Sequence, residues 1–260
     1  KVKLNDELLL SVEKPARYVG GELNVINKNI EDISIRFAFC FPDIYEVGMS
    51  HLGMKILYHV LNKRKDTYCE RVFAPWLDME EKMRENDIPL FALETSHAIN
   101  RFDIVGFTLQ YEMSYTNVIN MLDLAKIPLK SKERLEEHPF VCAGGPCTYN
   151  PEPIADLIDF FVIGEGEEVL HEVLDQYKAW KHSGRKRQEF LKEIAQISGI
   201  YVPSLYEFEY NPDGTIKKFY AKEDNLNLSI TKRIIKDMEG VEFPSRSEEH
   251  TSELQSRSDL

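Results

Sequence analysis

The sequence predicts an α/β fold: a doubly wound, mostly parallel sheet with a C-terminal helix and β-hairpin extension. Three observations carry that reading. Short apolar runs rich in β-branched and aromatic residues alternate with amphipathic stretches of helical period between residues 33 and 182. Parallel neighbours need a crossover connection, and helices provide it. Turn-forming clusters close the apolar runs, and after residue 182 the alternation stops.

Residues 1–32 read as an N-terminal extension. Residues 33–43 form a β-rich apolar run ended by Pro42 and Asp43, a buried strand entering a loop. Leu52, Ile56, Leu57, Val60 and Leu61 then describe one helical stripe. Tyr68 to Phe73 reads as a second, more exposed strand, and Met79 with Met83 as a short helix ending near Asn86. Leu90–Leu93 and Asp103–Leu109 read as two further strands around a polar turn at Ser96–Arg101. Val118, Met121, Leu122 and Ala125 give another helix, and Phe140–Ala143 a strand broken by Gly144-Gly145-Pro146. Asp159–Ile163 is a strand entering Gly164-Glu165-Gly166-Glu167-Glu168, followed by the helical stripe Val169, Leu170, Val173, Leu174 and Tyr177. Residues 183–244 read as a linker with a short helix over Phe190–Ile197. Its hairpin joins Tyr206–Tyr210 to Ile216–Ala221 through Asn211-Pro212-Asp213-Gly214.

The chain has 260 residues with 32 Lys+Arg against 44 Asp+Glu, a formal charge of -12. Phosphate contacts dominate nucleic-acid affinity, so this acidity argues against a polyanion as principal ligand. The apolar runs are strand-sized, far short of the roughly 20 residues that span a bilayer, and no signal peptide is visible. Cys40, Cys69, Cys142 and Cys147 are irregularly spaced. Reduced thiols in the cytoplasm are the expectation. Residues 245–260 resemble the translation of a sequencing adapter, most clearly over Arg246–Ser256, and are left out of the fold reading. Removing their two arginines and four acidic residues leaves 30 basic against 40 acidic side chains, so the acidity persists. Lys1 is not Met and the text stops shortly after Lys232–Pro244, so truncation at both ends is expected.

In an open α/β sheet, ligands sit beyond the carboxyl ends of the strands, near the point where strand order reverses. Four loops therefore carry the candidate site: Pro42–Gly48, Thr108–Ser114, Gly144–Asn150 and Gly164–Glu168. Paired glycines at 144 and 145 permit positive φ and close backbone approach, and equally make a tight turn. Glu165, Glu167 and Glu168 complement a helix dipole and repel a phosphate. The glycines follow neither GxGxxG nor a Walker pattern. Cys142 and Cys147 have no second cysteine at zinc or cluster spacing, Cys40 reads as core, and His51 and His59 read as surface or helix-start histidines. There is no GxSxG elbow and no Cys-His-Asp arrangement. Glu80 and Glu81 beside Lys82 and Arg84 read as a solvated face. No catalytic and no metal-binding residue is expected.

The stretch AGGPCTYNPEPIADLIDFFVIGEGEEVL, from Ala143 to Leu170, resembles the end of the cobalamin-binding domain that precedes many radical S-adenosylmethionine enzymes. Phe41–Asn62, Glu70–Trp76 and Asp103–Ala125 resemble a narrower set, uncharacterised bacterial radical S-adenosylmethionine proteins with a cobalamin-binding-like N-terminal domain. The resemblance covers most of residues 15–244 and implies a flavodoxin-like, Rossmann-like domain over 33–182. Its implied cofactor is cobalamin, and its implied contact residues come from the four loops. They are Asp43, Tyr45 and Gly48 from the first, Thr108 and Gln110 from the second, Gly144, Gly145 and Pro146 from the third, and Gly164, Glu165 and Gly166 from the fourth.

Two motifs are absent. Asp43 is followed by Ile44-Tyr45-Glu46, so the DxHxxG motif that supplies a lower cobalt ligand elsewhere is not formed. No CxxxCxxC occurs, so a [4Fe-4S] cluster and S-adenosylmethionine are expected only in a missing C-terminal radical domain, the implied partner of this one. The resemblance therefore implies a cofactor-holding domain for an unknown substrate. The alternatives are a docking scaffold that binds no cofactor, and a flavin or nucleotide site in the same cleft.

Overall fold

A computed structural model describes residues 1–23 and 25–236; the adapter-like tail lies outside the described residues. In chain order the elements are α1 (Asp6–Leu10), β1 (Ile35–Phe41), α2 (Tyr45–Ser50), α3 (Leu52–Lys63), β2 (Thr67–Phe73), α4 (Leu77–Glu85), β3 (Ile104–Thr108) and α5 (Tyr115–Leu124). Then come β4 (Phe140–Gly144), β5 (Phe160–Val162), α6 (Gly166–Lys181), α7 (Arg187–Ile194), β6 (Ile200–Tyr201) and a hairpin of β7 (Tyr206–Tyr210) and β8 (Ile216–Ala221). The six-stranded sheet has the order β2-β1-β3-β4-β5-β6. Its first five strands are parallel and β6 pairs antiparallel with β5. This is the doubly wound α/β fold that the alternation predicts, with strand order reversing between β1 and β3.

Strand β2 is the exception to the expected exposure. It is an edge strand, yet Cys69 and Glu70 are fully buried. Side chains take the place of a neighbouring strand. Asn62 Nδ2 donates to the Cys69 carbonyl at 2.9 Å, and the Cys69 N–H donates to Asn62 Oδ1 at 3.0 Å. One pleat further, the Arg71 N–H donates to Glu94 Oε2 at 2.7 Å, and the Leu93 N–H donates to the Arg71 carbonyl at 2.9 Å. The outward backbone groups of Cys69 and Arg71 are thus already engaged and do not offer a pairing edge to a second chain. Leu90–Leu93, expected as a strand, forms only an antiparallel bridge between Phe91 and Ala98. Ser96, at φ +58, turns the chain back before it can enter the sheet.

The core runs past residue 182. Phe190 of α7 is fully buried, with its ring 4.6 Å from that of Phe140, and β6 extends the sheet. One buried carboxylate ties this region together. Asp159 accepts from Ser131 Oγ at 2.5 Å, Arg134 Nη1 at 3.0 Å, Arg187 Nη2 at 2.7 Å and the Val141 N–H at 2.7 Å. The loop before β4, the start of β4, the start of β5 and α7 thus meet at one group. Burial lowers the pKa of Arg134, and Asp159 opposes that shift. Asp159→Asn leaves two buried guanidinium groups without their anion and is expected to cost about 3–5 kcal/mol. Urea unfolding measures it; a change below about 1 kcal/mol contradicts this role.

Candidate functional site

The reversal of strand order leaves a gap between α3 and α6 that the β2–β3 crossover, through α4, does not cover. A cleft of about 200 Å³ opens there, over one face of β1, β3, β4 and β5 and the loops at their C-terminal ends, walled by Leu57 of α3 and Leu170 of α6. Its floor is apolar: Phe37 and Phe39 from β1, Gly106 from β3, Cys142 from β4 and Val162 from β5. Strand alternation puts these on one face of the sheet, since Phe39 pairs with Gly106 and Gly106 with Cys142. A Cβ at Gly106 would stand 2.6 Å from Cζ of Phe37 and 3.2 Å from the Cys142 sulfur, so glycine is what lets Phe37 lie in the floor. Burial raises the pKa of the Cys142 thiol, which keeps it neutral.

The rim is polar. Thr108, Gln110, His51, Glu165 and Glu167 stand on it, and no lysine or arginine lines the cleft among the described residues. Gln110 Nε2 donates to Thr108 Oγ1 at 2.7 Å. His51 is the N-cap of α3: its Nδ1 accepts from the Met54 N–H at 3.1 Å, and its ring lies 5.1 Å from that of Phe41.

The two glycines after β4 differ in kind. Gly145 has φ +102, and a Cβ there would meet the Leu109 carbonyl oxygen at 2.7 Å. Its turn clasps Leu109, whose N–H donates to the Gly144 carbonyl at 2.7 Å while the Cys147 N–H donates to the Leu109 carbonyl at 3.2 Å. A Cβ at Gly144 would meet nothing closer than Val162 at 3.9 Å. Nothing inside the protein requires glycine at 144; the space it leaves belongs to the cleft.

Of the residues that the sequence points to, the structure gathers Thr108, Gln110, Gly144, Gly145, Gly164, Glu165 and Gly166 around the cleft. Gly164 also has a second reason to be glycine. It sits at φ +102 against Arg233, whose N–H donates to the Ile163 carbonyl at 2.8 Å and whose carbonyl accepts from the Glu165 N–H at 3.1 Å. Arg233 is further held by Glu168 at 3.0 Å and Glu172 at 2.6 Å, and the Glu165 carboxylate accepts from the Ile235 N–H. The chain thus straps its own returning segment across this turn.

Asp43, Tyr45, Gly48 and Pro146 lie elsewhere. Asp43 Oδ1 accepts from the Ile44 N–H at 2.7 Å and Oδ2 from the Tyr111 hydroxyl at 2.9 Å. Tyr45 packs edge-on against Phe73 and borders, with Arg71, a cavity of about 20 Å³ that has room for one water. Gly48 is buried against the Phe73 ring, and Pro146 starts the short turn Pro146–Tyr149. The residues that sequence reading missed are Phe37, Phe39, Gly106, Cys142 and His51. A glycine inside an otherwise β-branched strand was the available signal.

A wider groove of about 500 Å³ lies at the opposite end of the strands, between the loop around Lys130–Arg134 and the hairpin. Its buried charges, Arg134, Asp159 and Arg187, are the structural tie described above. Among the described residues, no group of three or more His, Cys, Asp or Glu side chains could hold a metal ion. No described helix is long and apolar enough to cross a membrane.

Residues 53–203, more than half of the chain, match the family described as "Radical SAM proteins, N-terminal". The chain belongs to that family. Among curated proteins, this radical SAM N-terminal chain is similar to the uncharacterised protein MJ0966 of Methanocaldococcus jannaschii, 28% identical over 184 residues, which cover 66% of this chain and 36% of the relative. It therefore spans about a third of that relative's length. Two solved structures of the cobalamin-dependent S-adenosylmethionine radical enzyme OxsB are distantly similar. The one with aqua-cobalamin bound has 13% identity and a TM-score of 0.40, over 70% of this chain and 22% of the enzyme. The one with aqua-cobalamin and S-adenosylmethionine bound has 14% identity and a TM-score of 0.41, over 82% and 27%. The fold of this radical SAM N-terminal chain rests on its own sheet order, not on those likenesses.

The two glycines give a paired expectation. Gly145→Ala is expected to destabilise by roughly 1–3 kcal/mol through its positive φ and the Leu109 clash, whereas Gly144→Ala stays within about 0.5 kcal/mol of the parent. Thermal or urea unfolding of the two variants reads the difference; equal losses contradict the assignment.

Proposed function

We propose that this chain is the cofactor-holding N-terminal part of a radical S-adenosylmethionine protein, and that its cleft receives the flat, apolar portion of a corrinoid. The observation that carries the reading is the cleft at the reversal of strand order, with an apolar floor, a polar rim at Thr108 and Gln110 beside Glu165 and Glu167, and a glycine at 144 that no protein contact requires.

The cleft's size and chemistry fit part of cobalamin. About 200 Å³ accommodates a fused two-ring group such as the dimethylbenzimidazole of the nucleotide tail, and not a whole macrocycle. Phe37, Phe39, Leu57, Val162 and Leu170 would enclose that group and keep water from it. Thr108 and Gln110 would donate to and accept from the amide groups that surround a corrin. Gly144 would let the ligand approach the backbone closely. Cobalamin, when bound, supplies a cobalt centre that can carry a methyl group or an electron. Among the described residues no cationic side chain lines the cleft, which disfavours a nucleotide or flavin phosphate at the same place.

The [4Fe-4S] cluster and S-adenosylmethionine belong, in this reading, to a separate catalytic domain of the parent protein, because no CxxxCxxC occurs in this sequence. The unit over residues 33–182 would present the cofactor to it, and 183–244 would link the two. Four unpaired, buried cysteines are in keeping with a reducing cytoplasm. A cofactor-free docking scaffold is the second reading. It is favoured by Asp43 being engaged by Tyr111 and by the Gly164 turn being filled by Arg233.

Titration with hydroxocobalamin, followed in the visible spectrum, separates the two. The cofactor reading expects a saturable spectral change. It also expects Gly144→Leu, whose side chain fills the cleft, to weaken binding at least about tenfold, about 1.4 kcal/mol, with little change in melting temperature. No spectral change at high micromolar cofactor favours the scaffold, and undiminished binding by Gly144→Leu places the ligand elsewhere.

A further inference from the structure

His51 lines the cleft, and the hydrogen bond at its other nitrogen decides what it can offer there. The Met54 backbone N–H can only donate, so Nδ1, 3.1 Å away, must hold a lone pair. A neutral imidazole then carries its proton on Nε2. We infer that His51 is a positioning residue that donates an Nε2–H hydrogen bond to an acceptor oxygen on the ligand, an amide carbonyl, and does not offer a lone pair to a metal.

The surroundings hold this tautomer in place. Metal-ligating histidines almost always donate from the second nitrogen to a carboxylate, carbonyl or water, which frees a lone pair on the first. Here the second nitrogen faces a donor instead. Making Nε2 a ligand would need a proton on Nδ1, and two N–H groups would then oppose each other at the start of α3. The ring cannot easily turn away. It rests on Phe41, with centroids 5.1 Å apart, and beside Gly53, where a Cβ would lie 3.0 Å from its Cε1. Glycine at 53 therefore makes the space in which the ring stands.

This inference rests on the cleft being the ligand site, and three measurements keep the two separable. Long-range ¹H–¹⁵N correlation spectra of the ligand-free protein are expected to show His51 protonated at Nε2; the Nδ1-protonated form overturns the inference whatever the cleft binds. His51→Asn retains an N-cap, because asparagine is among the best cap residues, but it is too short to bring a donor to the ligand. Its melting temperature is expected to match the parent while its affinity for hydroxocobalamin falls about tenfold. Equal affinity in parent and variant overturns the donor role while leaving the cofactor reading intact. Bound cob(II)alamin is expected to give the same nitrogen superhyperfine pattern by electron paramagnetic resonance in both proteins. A pattern that loses a nitrogen ligand in His51→Asn overturns the inference in the other direction. If the parent binds no hydroxocobalamin at all, the cofactor reading falls and the donor role falls with it.

Discussion

The reversal of strand order between β1 and β3 is the constraint from which the rest follows. Chain leaving β1 turns one way to α3 and β2, and chain entering β3 goes the other way to β4 and β5. The crossover from β2 to β3, through α4, packs against α5 and not between α3 and α6, so the cleft stays open between those two helices. A sheet must cover its apolar faces. Here Phe37 and Phe39 are buried, yet a cleft remains above them. Gly106 makes room for the Phe37 ring, and Gly144 leaves the cleft's edge clear.

Keeping that opening requires the surrounding frame to be tightly specified. Asp159 does this at the far end of β4 and β5, where four donors converge on a carboxylate that is 1% exposed. Asn62 and Glu94 do it at the edge of β2 by standing in for a missing strand. Arg233 does it at the mouth, pairing with the turn at Gly164 and reaching Glu168 and Glu172 on α6. All three devices include contacts between residues distant in sequence, and each removes a freedom that would let the cleft collapse or a partner strand enter.

Much of this was legible in the chain, and the failures share one cause. Strands β1, β4 and β5 and helix α6 could be read because their apolar runs and turn residues agree locally. The burial of β2 could not, because it depends on Asn62 and Glu94 meeting that strand from elsewhere. Leu90–Leu93 looked like a strand for its local apolarity, but Ser96 reverses the chain. Asp43, Tyr45 and Gly48 follow a strand as ligand loops do, yet Tyr111 and Phe73 engage them. Gly164 looked ligand-permissive, and Arg233 also requires it to be glycine. Phe37 and Phe39 read as ordinary core, since the floor of an apolar cleft and a core have the same composition. His51 was placed at a helix start; only the topology brings that helix start to the cleft.

In the cofactor reading the ligand sits at the reversal of strand order and not in the wider groove beneath the hairpin. Hydrogen exchange with and without hydroxocobalamin tests it most directly. Added protection is expected to concentrate in residues 106–110, 142–145 and 164–167. Protection at residues 130–134 and 203–210 instead would contradict it.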